Sequence, residues 1–192
     1  MTTTAAAAGR LYQRALELGA LKFGDFTLAS GQKSTFYFDG RMLALDPEGS
    51  DLISQEFLKA IRESGAESFG GPAVGAVPIV GALTLRSWQE GAGLSGFFVR
   101  SEAKKHGMGR QVEGSVRPGM KVAVFDDTVS TGGSLFTAVD AIKAYGCEIV
   151  LVLAVLDRNQ GGSAELAKRK LPFYRMWEAD PEGRIIVDAG IK

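Results

Sequence analysis

The sequence predicts an α/β fold in which a mostly parallel sheet is flanked by helices. Four β-rich apolar runs are too short for ordinary helices and are interpreted as buried strands: 67–71, 93–99, 120–126 and 148–157. Two segments between them, 77–90 and 132–146, have the features of helices. Strands that alternate with helices form parallel sheets, and ligands bind outside the carboxyl ends of their strands. The loops after these runs are therefore the places to look for a functional site.

The N-terminal part predicts a helix, a small sheet and a second helix. An apolar stripe from Leu11 to Leu18 indicates a helix that ends at Gly19. Short β-like pieces over 23–39 then indicate a small sheet. Residues 47–65 begin with proline and an acidic residue, carry apolar residues at helical spacing and close on glycine, so they predict a helix.

Composition limits the class of protein. A chain of 192 residues with 45% hydrophobic content suits one domain over 1–192, in which 173–192 supports only another strand or two near the sheet edge. The 22 basic and 22 acidic residues balance, so no overall field attracts nucleic acid or anionic lipid, and an anion site must be local. The single Cys147 excludes a disulfide framework, and no apolar stretch has the ~20-residue length of a membrane span. The N-terminus lacks the features of a secretory signal, so we expect a cytoplasmic protein.

The stretch VAVFDDTVSTGGS, residues 122–134, carries the strongest functional signal. Asp126 and Asp127 follow an apolar run, where a turn or helix cap would explain one aspartate but not two. Residues 128–134 are mostly small or hydroxyl-bearing, and their amides can hold a phosphate monoester at a helix start. Two carboxylates would repel a bare phosphate but can accept hydrogen bonds from vicinal hydroxyls. A ribose 5-phosphate satisfies both halves, whereas no Walker-type loop or dinucleotide fingerprint is present.

A cationic loop with interspersed glycines, residues 99–114, lies between two predicted strands. Its positive and titratable residues are Arg100, Lys104, Lys105, His106 and Arg110. A solvated surface loop and a lid that closes over an anionic leaving group explain this composition equally well from the residues alone.

Several separated segments resemble the orotate phosphoribosyltransferase family of type I phosphoribosyltransferases. Residues 122–134 resemble its 5-phosphoribosyl 1-diphosphate (PRPP) signature, and RSEAKKHGMGRQVEG, 100–114, resembles its mobile catalytic loop. Residues 20–39 resemble its N-terminal region, and LDRNQGG, 156–162, resembles a segment whose arginine faces orotate. The resemblance covers roughly 16–165 with the motifs in the expected order, which is more specific than any one motif.

The resemblance implies a type I phosphoribosyltransferase fold with a small hood over the base site. The hood would come mainly from about 20–45, and the mobile catalytic loop would span about 100–113. The implied enzyme is a glycosyltransferase that moves the 5-phosphoribosyl group from PRPP to orotate, giving orotidine 5-monophosphate and diphosphate in UMP biosynthesis. It further implies Mg²⁺ held mainly by substrate diphosphate and ribose, with no metal ligand directly from side chains. The implied assembly is a homodimer whose loop reaches the neighbouring active site.

The family motifs also imply residue roles. Asp126 and Asp127 would bind the ribose hydroxyls. The residues around the 5-phosphate would be Thr128, Val129, Ser130, Thr131, Gly132, Gly133 and Ser134. The catalytic candidates are Lys104, His106, Asp127 and Arg100, with Lys104 first and Arg100 expected to reach across the dimer; Lys105 and Arg110 join the substrate-binding set. The base site would use Lys33, Tyr37, Phe38 and Arg158, although Tyr37 and Phe38 also suit a strand's inward face, and Lys33 suits an exposed turn.

The sequence departs from the better-known bacterial pattern, in which some members have lysine where this chain has Ala29, Gly75 or Ser101. Substitutes for these cations would be Lys33, Lys104, Lys105 and Arg110. The nearest alternative function is a phosphoribosyltransferase for a purine or another pyrimidine. A noncatalytic nucleotide-sensing regulator that binds RNA is a second alternative, which the neutral charge balance disfavours.

Overall fold

A central sheet of seven strands dominates the computed structural model, which describes residues 4–27, 31, 33–101 and 111–191. In chain order the elements are α1 (Thr4–Leu18), β1 (Leu21–Thr27), β2 (Lys33–Phe38), α2 (Gly40–Ala44), α3 (Pro47–Glu63), β3 (Ser68–Pro72), α4 (Val77–Gln89), β4 (Ser95–Val99), β5 (Val112–Gly114), β6 (Lys121–Val129), α5 (Gly133–Ala144), β7 (Glu148–Asp157), α6 (Gly162–Lys168), β8 (Phe173–Ala179) and β9 (Ile185–Ile191). Every strand and helix predicted from the sequence has a counterpart in this order.

The sheet has the strand order β5-β4-β3-β6-β7-β8-β9. The five inner strands are parallel, and the edge strands β5 and β9 pair antiparallel with their neighbours. The predicted mostly parallel sheet is therefore confirmed, as are the strands expected from the last twenty residues. The chain runs outward from β3 and returns to β6 on its other side. Their adjacent carboxyl ends are the kind of crevice where open α/β sheets bind ligands.

Helices cover both faces of the sheet. On one face the apolar residues of α1 to α4 form a core with alternate residues of the strands, such as Phe125 and Leu153. On the other face α5 and α6 pack against the intervening residues, such as Val124 and Val152. A strand buried on both faces has no polar side, which is why β6 and β7 appear in the sequence as continuous apolar runs. None of the helices in the described ranges is long and apolar enough to cross a bilayer.

Strand β6 extends beyond its predicted end at residue 126. It keeps its pairing with β7 through the partners Thr128↔Leu156 and Val129↔Asp157. Tertiary pairing with a long neighbouring strand thus overrides the polar sequence at this point. As a consequence, Asp126 and Asp127 lie near the carboxyl end of β6, within the strand and not in the loop after it.

The segment predicted to form the hood contains the antiparallel hairpin of β1 and β2, a two-stranded sheet separate from the central one. Phe36 and Phe38 on β2 are buried, and Phe38 meets the ring of Trp177 on β8 at a centroid distance of 5.7 Å. Asp39 follows the hairpin and accepts a hydrogen bond from the backbone N–H of Arg41, which caps α2. These contacts fix the hairpin beside the carboxyl ends of the strands.

Candidate active site

A cavity of about 630 Å³ opens at the carboxyl ends of β3, β6 and β7. Its walls come from four segments of the chain, within 37–41, 72–75, 126–134 and 158–160. The first belongs to the end of the hood and the start of α2, and the other three follow or end strands of the sheet. The fold thus brings together the acidic pair, the small-residue loop, the predicted base-site aromatics and Arg158 in one place.

Both carboxylates of the acidic pair line this cavity; Asp126 is buried and Asp127 is partly exposed. Asp126 is 5% exposed; its Oδ2 accepts a hydrogen bond of 2.8 Å from the Ser134 hydroxyl, and its Oδ1 accepts one of 3.0 Å from the N–H of Asp127. Burial raises the pKa of Asp126 to about 7, and the neighbouring charge of Asp127 adds to the effect. Burial also raises the pKa of Asp127. The pair therefore favours a ligand that brings hydrogen-bond donors or positive charge.

Two glycines let other segments approach the pair closely. A Cβ built on Gly40 would lie 2.6 Å from Oδ2 of Asp127. A Cβ built on Gly75 would lie 2.8 Å from Oδ1 of Asp126 and 3.3 Å from Oδ1 of Asp127. Since real Cβ atoms avoid such distances, a lysine at Gly75 would require the backbone or the carboxylates to move. The close packing around Asp126 and Asp127 thus accounts for glycine, and not the lysine of some family members, at position 75.

The predicted phosphate loop joins β6 to α5. Gly132 takes a left-handed backbone conformation with φ of +85°, and within the described part of the chain no side chain caps the first turn of α5. The free amides at such a terminus suit an anion. Ser130, Thr131 and Ser134 border the cavity, and so does Thr128 at the end of β6.

Three other members of the predicted phosphate set do not line the cavity wall. Val129 is fully buried in the core, so only its backbone is available near the site. Gly132 and Gly133 shape the turn into α5. Their expected contribution is through backbone amides.

Arg158 lines the same cavity and is 8% exposed. Its Nη2 donates a hydrogen bond of 2.9 Å to the hydroxyl of Ser34, and its guanidinium carbon lies 4.3 Å from the centre of the Phe36 ring. Its buried Nε has no hydrogen-bond partner among the described residues, and burial lowers its pKa. A planar anion would satisfy this donor.

Of the other predicted base-site residues, two line the main cavity and one does not. Tyr37 and Phe38 both border the cavity; Tyr37 is 39% exposed and lies 5.8 Å from the Phe26 ring, whereas Phe38 is mostly buried. Lys33 is exposed and donates to Oγ1 of Thr27 at 2.8 Å. It borders a second cavity of about 340 Å³ that shares Arg158 with the first, and it is not part of the main cavity wall.

The structure adds residues that sequence reasoning missed. Ser34 and Phe36 contact Arg158. The alternation in TFYF could have placed Phe36 on the same face as Phe38, but it does not pair either residue with Arg158. Arg41 borders the cavity and pairs with Asp39 through Nε at 2.9 Å and Nη2 at 3.0 Å. It provides a second guanidinium at the cavity, beside the acidic pair.

Most of the predicted catalytic loop lies outside the described residues. This applies to Lys104, Lys105, His106 and Arg110, and also to Ala29 in the hood. Arg100 and Ser101 are described and exposed; Arg100 lies 4.0 Å from a carboxylate oxygen of Glu113 and bonds through its backbone N–H to Gln111. The roles predicted for this loop stay predictions.

Comparison with known proteins agrees with this geometry. Residues 57–174 match the phosphoribosyl transferase domain model. Orotate phosphoribosyltransferase of Rhodopirellula baltica is 42% identical over 162 residues, which cover 81% of this chain and 84% of that protein. The orotate phosphoribosyltransferase of Mycobacterium tuberculosis H37Rv, solved with Fe(III) dicitrate, aligns with a TM-score of 0.76 at 32% identity, covering 88% of this chain and 94% of that one.

The same Mycobacterium tuberculosis enzyme, solved with 5-phospho-α-D-ribosyl 1-diphosphate, aligns with a TM-score of 0.72 at 28% identity, covering 88% of this chain and 93% of that one. The alignments with these relatives and structural neighbours thus cover most of the length of each compared protein. The shared fold, the matched domain and the high coverage agree, and the chain therefore belongs to the orotate phosphoribosyltransferase family of phosphoribosyltransferases.

Proposed function

We propose that the chain transfers the 5-phosphoribosyl group from PRPP to orotate, giving orotidine 5-monophosphate and diphosphate for UMP biosynthesis. The observation that carries the proposal is the acidic pair, of which Asp126 is buried and Asp127 partly buried; it precedes a helix start that no side chain of the described residues caps, and it shares its cavity with the buried Arg158. The first two features suit a ribose phosphate, and the third suits a planar anionic base. The named relatives and the neighbour solved with PRPP support the same assignment.

At the sugar end, the 5-phosphate would accept hydrogen bonds from the amides of 130–134. The ribose 2- and 3-hydroxyls would donate to the carboxylates of Asp126 and Asp127. These donors stabilise the ionised form of the pair, so binding releases the proton that burial retains near neutral pH. The ionised pair lies close to the sugar as positive charge develops on its ring, which favours the transition state electrostatically.

At the base end, Arg158 would donate hydrogen bonds to a carboxylate or carbonyl of orotate. The donors would be its Nε, which has no partner among the described residues, and the neighbouring amino group. Its contacts with Ser34 and Phe36 hold the guanidinium in place before the base arrives. Tyr37 and Phe38 border the same space and offer apolar surface to a planar ring. A base fixed in this way presents a ring nitrogen for attack on the anomeric carbon, so positioning supplies a large share of the rate.

The leaving diphosphate requires positive charge. We propose Mg²⁺ held mainly by the diphosphate and ribose oxygens, with no ligand directly from side chains; the negative charge of the nearby carboxylate pair suits a cation carried on the substrate. When bound, Mg²⁺ neutralises charge on the departing diphosphate. From the chain itself we propose Lys104, His106 and Arg100, with Arg41 as an additional guanidinium at the cavity.

We also propose that the working form is a homodimer in the cytoplasm, with Arg100 directed to the neighbouring active site. Leu85 and Trp88, one turn apart on α4, are 60% and 78% exposed. Large exposed apolar side chains on one helix face favour association with another protein surface. Cys147, buried and without a disulfide, suits a reducing compartment, and the zero net charge gives no support for nucleic-acid binding.

The activity is tested with purified protein, orotate, PRPP and Mg²⁺ by following the loss of orotate absorbance. Competition with purines and other pyrimidines distinguishes orotate from the alternative bases. Lys104→Ala should lower turnover by about a hundredfold or more, as loss of a transition-state cation does, whereas the exposed Lys143→Ala on α5 should not. Failure of the wild-type protein to consume orotate would refute the proposed function, and an unchanged Lys104→Ala rate would remove that lysine from the catalytic set.

A further inference from the structure

The turn between β8 and β9 packs against the hood. Gly183 in this turn has a φ of +81°, and a Cβ built on it would overlap Oγ1 of Thr35 on β2 and lie 3.7 Å from Cδ1 of Phe36. A side chain at this position therefore requires the Thr35 side chain to rotate or β2 to move by a few tenths of an ångström, and it also strains the backbone. The contact joins the C-terminal hairpin, which the sequence leaves without a functional role, to the strand that borders the base site.

The turn is braced by its own hydrogen bonds. Oδ1 of Asp180 accepts from the backbone N–H of Glu182 at 3.0 Å and of Arg184 at 2.8 Å, and its Oδ2 accepts from Arg184 Nε at 2.5 Å. The N–H of Gly183 donates to the Asp180 carbonyl at 2.9 Å. These hydrogen bonds connect the start and the end of the turn, so they restrict its movement against the hood.

The residues on either side of Thr35 hold Arg158. Ser34 accepts the hydrogen bond from Nη2, and its hydroxyl in turn donates to the Phe36 carbonyl at 2.7 Å. The Phe36 ring packs against the guanidinium. Because Ser34 and Phe36 both lie on β2, a displacement of this strand would disturb both contacts at once.

We infer that the β8–β9 turn is a positioning element for the base site: Gly183 sets the place of β2, and β2 orients Arg158 through Ser34 and Phe36. The inference rests on the proposed function, since it concerns the base that Arg158 meets. The plain alternative is that Gly183 serves only to make the turn. The two readings differ in what a side chain at residue 183 does to orotate and PRPP separately.

The primary test compares Gly183→Ala with Gly119→Ala. Gly119 has a φ of +87° and nothing within 4 Å of a built Cβ, so alanine strains the backbone there without a collision. Gly183→Ala should raise the KM for orotate about fivefold, the factor carried by one hydrogen bond of ordinary strength, with the KM for PRPP unchanged. Gly119→Ala should change neither. Adding Thr35→Ala to Gly183→Ala removes the colliding atom and should restore the orotate KM.

Ser34 supplies a second route that leaves the turn intact. Ser34→Ala should raise the orotate KM by a similar factor, and Ser34→Thr, which keeps a hydroxyl, should restore it. An unchanged orotate KM in Ser34→Ala would remove the step from β2 to Arg158 and overturn the inference even if Gly183→Ala does not fold. Equal orotate KM values for the two glycine variants, a parallel rise in the KM for PRPP, or no rescue by Thr35→Ala would overturn the inference in an active enzyme. A wild-type chain inactive toward orotate would instead refute the proposed function itself.

Discussion

Replacing Asp126 by asparagine should stabilise the free protein at alkaline pH and abolish its use of PRPP. The carboxyl group is 5% exposed and contacts the Ser134 hydroxyl and the N–H of Asp127. An amide of the same shape can keep both contacts, since its oxygen accepts from one partner and the serine hydroxyl can reverse its role. What the substitution removes is the cost of ionising a buried carboxyl beside a second one.

The sign and size of the effect follow from the pKa. Burial raises the pKa of Asp126 from an ordinary 3.8 to about 7, so between these values the folded chain holds a proton that the unfolded chain has released. Stability from this site is therefore present at low pH and is lost as pH rises through about 7. A shift of this size corresponds to a ceiling of about 4 kcal/mol. Because Asp127 shares the titration and structure around the pair can relax, we expect Asp126→Asn to gain ~1–3 kcal/mol above neutrality.

Urea unfolding of the ligand-free protein at about pH 5 and about pH 8 measures this difference. The gain of Asp126→Asn over wild type should be smaller at the acidic pH and larger at the alkaline one. The exposed Asp25→Asn on β1 is the matched control and should show no such trend. A variant that is no more stable than wild type at the alkaline pH, or a gain that does not depend on pH, would refute the reasoning about burial.

Three further predictions concern other parts of the site and the assembly. Gly75→Ala pushes a methyl group against the acidic pair and should raise the KM for PRPP several-fold in steady-state assays, whereas Gly81→Ala on α4, with open space around its Cβ, should be neutral; equal effects would contradict the packing argument. Arg158→Lys loses the planar donor pair and should raise the KM for orotate about tenfold or more, with the KM for PRPP little changed. Leu85→Glu with Trp88→Glu should convert the proposed dimer to monomer in sedimentation experiments, and an unchanged mass would exclude this helix face as the interface.

Much of the fold could be predicted from the sequence because its longer elements follow from local patterns. Buried strands such as β7 are continuous apolar runs, and α3 carries its own start signal, with Asp46 accepting a hydrogen bond from the N–H of Gly49. The short elements α2, β5 and α6 were not predicted. Each has seven residues or fewer, which is too short for a periodic pattern of apolar residues to identify it. The extension of β6 past residue 126 likewise depends on its pairing with β7.

The residues proposed to bind the sugar phosphate could be predicted from the sequence, whereas the contacts around Arg158 could not. The acidic pair and the phosphate loop are consecutive in the chain, so their chemistry is visible in one short stretch. At the base end Arg158 meets Ser34 across 124 positions of sequence, and no local pattern specifies such a contact. The close approach of Gly40 and Gly75 to the acids has the same origin, because it follows from how three segments meet at the strand ends.

The cavity combines two local fields of opposite sign within a chain of zero net charge. At one end of the site burial raises the pKa of Asp126, and the neighbouring charge of Asp127 adds to the effect. At the other end burial lowers the pKa of Arg158, whose Nε has no partner among the described residues. The charged form of each group lowers the stability of the free protein, because it is buried without a full set of partners. Each would gain hydrogen bonds from one of the two substrates, Asp126 from a hydroxyl-rich sugar and Arg158 from an anionic base. In the proposed reaction, the same desolvation that costs stability would direct the sugar to the carboxylates and the base to Arg158, because exchanging them would place the base's anion against the carboxylates.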